Sequence, residues 1–262
     1  MSRALPLALL AVLAAACTGP QGVLRNEGPA ARVLSELLWR LFFTTVIPAA
    51  LVILFVVWLA LRKKAEVQPP APGRDVRFIV VAGALFPGAV LLMLTVFTIQ
   101  AGEGTRRPPR EPALRVEVIG HQFWWEVRYP DHDVVTANEI HVPAGEPVQL
   151  EVTSADVIHS FWVPALHGKI DMIPGKTNVF WFQADRPGEY RGQCAEFCGQ
   201  QHALMALLVV AEPADALPAA WVQCRASRVG VGRGFHNPKT RSSWGSMVSK
   251  CCSGGRGVGP PK

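Results

Sequence analysis

The segment Gln193-Cys194-Ala195-Glu196-Phe197-Cys198-Gly199-Gln200-Gln201-His202-Ala203-Leu204-Met205 crowds two thiols, an imidazole and a thioether into a dozen positions. A further histidine, His159, stands 35 residues before Cys194 in Asp156-Val157-Ile158-His159-Ser160. Soft sulfur donors with imidazole suit copper or zinc and exclude magnesium or calcium at these atoms. One Cys, two His and an axial Met would make a mononuclear blue-copper site, and this segment offers that set plus a second thiolate. Two thiolates can each bridge two metals. That leaves one His for each metal and two weak positions, Met205 and a backbone carbonyl, to finish a dinuclear copper centre. Such a centre shares one electron between two ions and suits electron transfer. Two other readings use fewer of these residues. A Cys194–Cys198 disulfide in an exported domain leaves His159, His202 and Met205 unexplained, and a tetrahedral Cys₂His₂ zinc site makes no use of Met205. His159 by itself would be a structural histidine; only its combination with the loop makes it a candidate ligand.

Such donors need a rigid frame. From about Leu114 apolar residues alternate in short runs: Val116 and Val118, then Val148, Leu150 and Val152, then Val179 and Trp181, with Pro/Gly breaks at 143–147, 174–175 and 187–188. Several short strands at that spacing predict an all-β sandwich over 113–212, a size that suits one domain. Before it lie two uncharged apolar runs. Leu41 to Leu61 and Phe78 to Ile99 would be roughly 31 and 33 Å long as helices, enough to cross a hydrocarbon core. They predict a transmembrane hairpin over 35–101, with helices at about 38–61 and 77–100, and a linker from Ala101 to Pro112. The intervening loop carries Arg62, Lys63, Lys64, Arg74 and Arg77, which places it in the cytoplasm and both outer ends of the pair on the opposite side.

The chain of 262 residues is 50% apolar and 18% charged, with a mean hydropathy of +0.22, so a wholly disordered chain is excluded. Its net charge of +6 is concentrated in residues 213–262, where eight Lys/Arg face the single acid Asp215. The remainder sums to about −1, which rules out a basic nucleic-acid face on the folded part. Residues 1–17, with Arg3, an apolar run from Leu5 to Ala16 and then Cys17, have the layout of a secretory signal. The small residues before Cys17 resemble a bacterial lipoprotein cleavage site and make that cysteine the expected point of lipidation.

Two outward-facing helices, a cupredoxin-sized β domain, Gly192-Gln193-Cys194-Ala195-Glu196-Phe197-Cys198-Gly199 and His202-Ala203-Leu204-Met205 resemble subunit II of the haem–copper cytochrome c oxidases. Gly120-His121-Gln122-Phe123-Trp124-Trp125 and Asp171-Met172-Ile173-Pro174-Gly175 match the same family. The resemblance covers roughly residues 30–212. It implies a two-helix membrane hairpin followed by an all-β cupredoxin domain, a Greek-key sandwich, on the periplasmic side of a bacterial inner membrane. It also implies that His159, Cys194, Cys198, His202 and Met205 are side-chain ligands of a dinuclear copper A centre. Glu196 would add its backbone carbonyl, and its carboxylate would bind magnesium at the boundary with subunit I, an oxygen donor that suits that hard ion. Electrons would arrive from cytochrome c and leave for haem in subunit I, where oxygen is reduced to water and protons are pumped; subunits I and III would be the partners. Many family members have Trp at the position of Phe123, the usual entry point for electrons, so Trp124 and Trp125 become candidate substitutes. Asp131, Asp133, Glu139, Glu146, Glu151 and Asp156 would be the acids available to attract a basic cytochrome c. The rival reading from another class is a membrane-anchored copper-binding assembly or storage protein.

Residues 213–262 show eight glycines and no hydrophobic period after Val222, and are expected to form a disordered tail. The Phe-Trp-Trp run and Cys17 resemble the branch of the family that carries a fused cytochrome c domain. This tail has no Cys-x-x-Cys-His: Cys224, Cys251 and Cys252 have the wrong spacing and His236 adjoins no cysteine. No haem is therefore expected on the chain; the tail is expected to come from a change of reading frame after Trp221, the alternative being a natural flexible segment whose Lys/Arg residues attract anionic lipid.

Overall fold

The computed structural model describes residues 19, 21–62 and 74–217. The signal segment with Cys17, most of the basic loop at 62–77 and the tail beyond 217 lie outside them. Two compact units are built from the chain, one of residues 33–106 and one of the rest.

The first unit is helical. Helix α1 spans Pro29–Leu61, and a second run consists of α2 (Arg74–Val80), a π-helical turn (Val81–Leu85) and α3 (Phe86–Arg106). Proline has no N–H to close a normal helical turn and its ring crowds the carbonyl four residues back. The wide turn just ahead of Pro87, in which the Phe86 N–H reaches Val81 O, absorbs that mismatch. Both helical runs exceed the lengths expected from the apolar stretches. At its end α3 gains a turn beyond residue 100, held by Thr105 Oγ1 donating to Ala101 O at 3.1 Å and by an Arg106–Glu103 pair. Half of the expected linker is therefore helix. Leu51, Val52, Ile53 and Leu54 are each more than half exposed, a continuous apolar surface that water would not tolerate. Thr45, Thr95 and Thr98 turn their hydroxyls onto carbonyls of their own helices, as apolar surroundings demand. Both helices are long and apolar enough to cross a bilayer, with no part of their most apolar stretches buried, and they anchor the protein in a membrane.

The second unit is a sandwich of two five-stranded sheets. In chain order the strands are β1 Leu114–His121, β2 Trp124–Tyr129, β3 Val134–Ala137, β4 Glu139–Pro143, β5 Pro147–Ser154, β6 His159–Trp162, β7 Ile170–Met172, β8 Asn178–Gln183, β9 Gly188–Cys194 and β10 Ala206–Glu212. One sheet has the order β3-β2-β1-β5-β8 and the other β4-β10-β9-β6-β7. Neighbours are antiparallel except β1 with β5 and β4 with β10. The chain changes sheets between β3 and β4 at Asn138, which has φ 61, a region that Asn tolerates better than most residues. Its amide oxygen accepts the Trp125 N–H at 2.8 Å, which holds the corner.

Strand alternation fills the core. Val116 and Val118 of β1, Leu150 and Val152 of β5, Val209 of β10 and Phe161 of β6 are wholly buried, and Trp125 meets Phe161 edge to face at 5.9 Å. On β8 the alternating pair Val179 and Trp181 lies on the face away from this core. Phe180 and Phe182 pack inward, Val179 is exposed, and Trp181 is covered by the edge of His167.

Two pieces outside the expected 113–212 boundary complete the domain. Leu217 is buried in the core cluster. Upstream, Glu27 donates its N–H to Ala165 O at 3.1 Å and accepts that of Asp185 at 2.8 Å, while Arg186 and Arg32 pair with Glu27 and Asp185. A Cβ at Gly28 would sit 2.3 Å from Gln183 O, so only glycine fits this strap.

Candidate metal centre

Sheet β4-β10-β9-β6-β7 gathers the sequence-predicted donors at one end. His159 opens β6 and Cys194 closes β9, its neighbour in the sheet, whose pairing sets Phe161 opposite Cys194. Cys198 lies in the loop that follows, His202 opens a 3-10 turn over His202–Leu204, and Met205 stands just before β10. The Cys194 and Cys198 sulfurs are 3.9 Å apart, against about 2.05 Å for a disulfide, and both cysteines are free and buried. His159 Nδ1 lies 3.8 Å from Cys194 Sγ, and His202 Nδ1 lies 3.7 Å from Cys198 Sγ. Met205 Sδ is 3.8 Å from Cys198 Sγ, and the Glu196 carbonyl oxygen is 3.1 Å from Cys194 Sγ. One imidazole thus accompanies each thiol, with a thioether and a carbonyl at the periphery. His159 and Met205 are wholly buried. The ligand atoms of His159, Cys194 and Cys198 all lie within 4.8 Å of one another, close enough to share a metal. Soft donors in a dry pocket fit copper and offer nothing to a hard ion.

Burial opposes a thiolate at Cys194, but the His159 imidazole and the Glu196 and Ser160 backbone outweigh it and pull this thiol below its ordinary range. Burial and then the neighbouring Cys194 charge push Cys198 up. Two sulfurs this close cannot both ionise without a cation between them. Binding a metal would therefore release the second proton.

Sequence reasoning missed the residues that orient these donors. Asp156 Oδ1 lies 2.8 Å from His159 Nε2 and accepts the Val157 N–H at 2.6 Å, while Oδ2 accepts the Gln122 N–H at 2.6 Å. Burial alone would raise its pKa; the His159 bond and these two N–H groups hold it below the usual carboxylate range. A carboxylate on the far nitrogen leaves Nδ1 of His159 for the sulfurs. The spacing Asp156-x-x-His159 was the available signal. Lys169 lies 3.1 Å from the Glu196 carboxylate and 3.5 Å from that of Asp171.

The three aromatic candidates take different places. Trp125 is wholly buried, its ring centroid 6.1 Å from that of His159. Trp124 stacks on His121 at 4.5 Å. Phe123 is partly buried beside the loop, where a Cβ on Gly199 would meet its ring at 3.1 Å. The six acids do not make one free acidic face. Glu139 is buried beside His141, Glu151 and Glu146 pair with Arg115 and Arg110, and Asp156 is held at the site.

The family description "Cytochrome C oxidase subunit II, periplasmic domain" matches residues 133–212. Cytochrome c oxidase subunit 2 of Alkalihalophilus pseudofirmus is 32% identical over 238 residues, which cover 87% of this chain and 69% of that one. Quinol oxidase subunit 2 of Bacillus cereus is 30% identical, covering 76% of this chain and 71% of that one. The solved periplasmic domain of subunit II of cytochrome oxidase from Bradyrhizobium japonicum is 30% identical, with a TM-score of 0.44 over 45% of this chain and 97% of that structure. With a candidate His/Cys/Cys metal site in a β-sandwich behind two apolar helices, and a relative matched over more than two thirds of its length, the chain belongs to the cytochrome c oxidase subunit II family.

Proposed function

We propose that the chain is the electron-accepting subunit of a respiratory cytochrome c oxidase. It takes electrons from cytochrome c and passes them to haem in subunit I, where oxygen reduction is coupled to proton pumping, with subunit III as the remaining partner. The observation that carries this reading is the placing of two free thiols, each with its own imidazole, beside Met205 and the Glu196 carbonyl. These residues would hold two copper ions as a copper A centre, whose chemistry when bound is one-electron exchange with little rearrangement. The chain's own part is to keep the donors fixed and dry: His159 is locked by Asp156, Met205 is buried, and the thiols stay 3.9 Å apart. Rigid ligands keep reorganisation small, which is the protein's contribution to a relay.

The Glu196 carboxylate, held by Lys169 in this chain, would bind magnesium when subunit I supplies further ligands. Phe123, against the metal loop, stands where many family members carry the Trp at which electrons enter, and Trp124, stacked on His121, or Trp125, next to His159, would take over that role. The domain stands on the outer face of a bacterial inner membrane, with Cys17 lipidated. The assembly or storage reading needs neither the helices nor Glu196. A quinol-oxidising role would need no thiol pair. The test is to load the full chain in detergent with copper. Two ions per chain and a purple mixed-valence spectrum are expected; one ion, or a colourless preference for zinc, would overturn the dinuclear assignment.

A further inference from the structure

The turn between β1 and β2 approaches the metal loop through the side chain of Gln122. Gln122 is exposed, yet its side-chain amide donates to the carbonyl oxygen of Cys198 at 2.5 Å. Its backbone N–H is meanwhile given to Asp156 Oδ2 at 2.6 Å, the carboxylate whose other oxygen holds His159. One residue thus touches both segments that carry sulfur and imidazole donors, whose strand-end members His159 and Cys194 are 35 residues apart. The approach is built in. Gly199 has φ +134, and a Cβ there would meet Gln122 Nε2 and the Phe123 ring at 3.1 Å, so the peptide after Cys198 is shaped to receive this turn.

We propose that Gln122 is a positioning residue of the metal centre, a clasp that fixes the Cys198 peptide against the Asp156–His159 pair and against the aromatic turn carrying Phe123. It touches no metal. Its effect passes through the Cys198 carbonyl on one side and Asp156 on the other, so that the two halves of the ligand set cannot drift independently. The inference rests on the copper reading above only for its consequence at the metal, because the clasp itself is a property of the metal-free chain.

The experiment uses the full chain in detergent and compares Gln122→Met, which keeps the volume and removes the donor, with Thr136→Val. Thr136 Oγ1 donates to Glu139 O at 2.6 Å in the β3–β4 corner, so its loss matches the clasp bond in kind but lies outside the ligand segments. In metal-free chains, iodoacetamide labelling of Cys194 and Cys198 is followed by peptide mass spectrometry. One side-chain bond holding this loop corresponds to about 2- to 12-fold in its opening, and that acceleration is expected for Gln122→Met alone. In copper-loaded chains, release to a chelator is expected to quicken by about 10-fold or more in Gln122→Met, the range typical for residues that orient metal ligands, with Thr136→Val unchanged. Equal labelling and release in the two variants would overturn the clasp. Faster labelling with unchanged copper release would overturn its role toward the metal. A wild-type chain that holds no copper would overturn the copper reading instead, and the labelling comparison would still decide the clasp.

Discussion

Replacing Cys194 or Cys198 with Ser should abolish any mixed-valence spectrum, because a hydroxyl cannot bridge two copper ions as a thiolate does. Met205→Leu should keep the copper and shift its potential, since the axial thioether makes the weakest bond; an unchanged potential would make Met205 a core residue only. A second residue-level outcome concerns His141, far from the donors in the sequence. It is 1% exposed, between Glu139 at 3.9 Å and Glu212 at 3.6 Å, and its backbone N–H is taken by the Tyr129 hydroxyl. Burial lowers its pKa, but the two carboxylates outweigh burial and raise it to about 9. A raised histidine stabilises the fold fully below its unfolded value of about 6.5 and loses that contribution as pH climbs through its folded value. Thermal stability should therefore fall between about pH 6.5 and 9, by about 3 kcal/mol for this group, and His141→Asn should flatten that slope. The donors were legible in the sequence because five soft groups crowd one loop and one strand end. The groups that orient them were not: Asp156 reads as one scattered acid and Gln122 as one amide within an aromatic run until the parallel register of β1 and β5, which sets Gly120 beside Ser154, brings them together.

The strands and helices were legible for the opposite reason, since burial imposes a period on every residue. Where the period ends, the reading failed: α3 continues past its apolar run on side-chain to carbonyl bonds, and alternation could not say that Val179 and Trp181 face away from the core. The strap at residues 27–32 has no apolar period at all, being made of backbone bonds, ion pairs and one glycine. Gly28→Val should cost about 1–3 kcal/mol through the Gln183 carbonyl at 2.3 Å from any Cβ, read as a lower melting temperature of the full chain in detergent. An unaltered melt would mean that the strap contributes nothing to the domain. For the helical pair, protease added from the periplasmic side should spare the Arg62–Arg77 loop, and protease added from the cytoplasmic side should cut it, as its charge requires. Cleavage from outside would reverse the orientation.

At the scale of the molecule, the expectation is co-purification with a haem-containing subunit I and oxidation of cytochrome c by the assembled complex. A chain that purifies alone with its copper would favour the storage reading. The strap adds something to how such a chain comes to be made. Its ion pairs join residues separated by 153 and 159 positions, Arg32 to Asp185 and Glu27 to Arg186, and everything between them includes both membrane helices. Contacts this distant in sequence form late. The sandwich can begin to fold when β10 emerges, but it cannot close over Ala165 and Gln183 until a segment synthesised before the first helix is on the same side of the bilayer. A half-inserted hairpin, with only one helix across, would leave that edge bare. Completion of the domain would therefore report that both helices have crossed, and chains with only one helix inserted would be the ones left open to proteolysis.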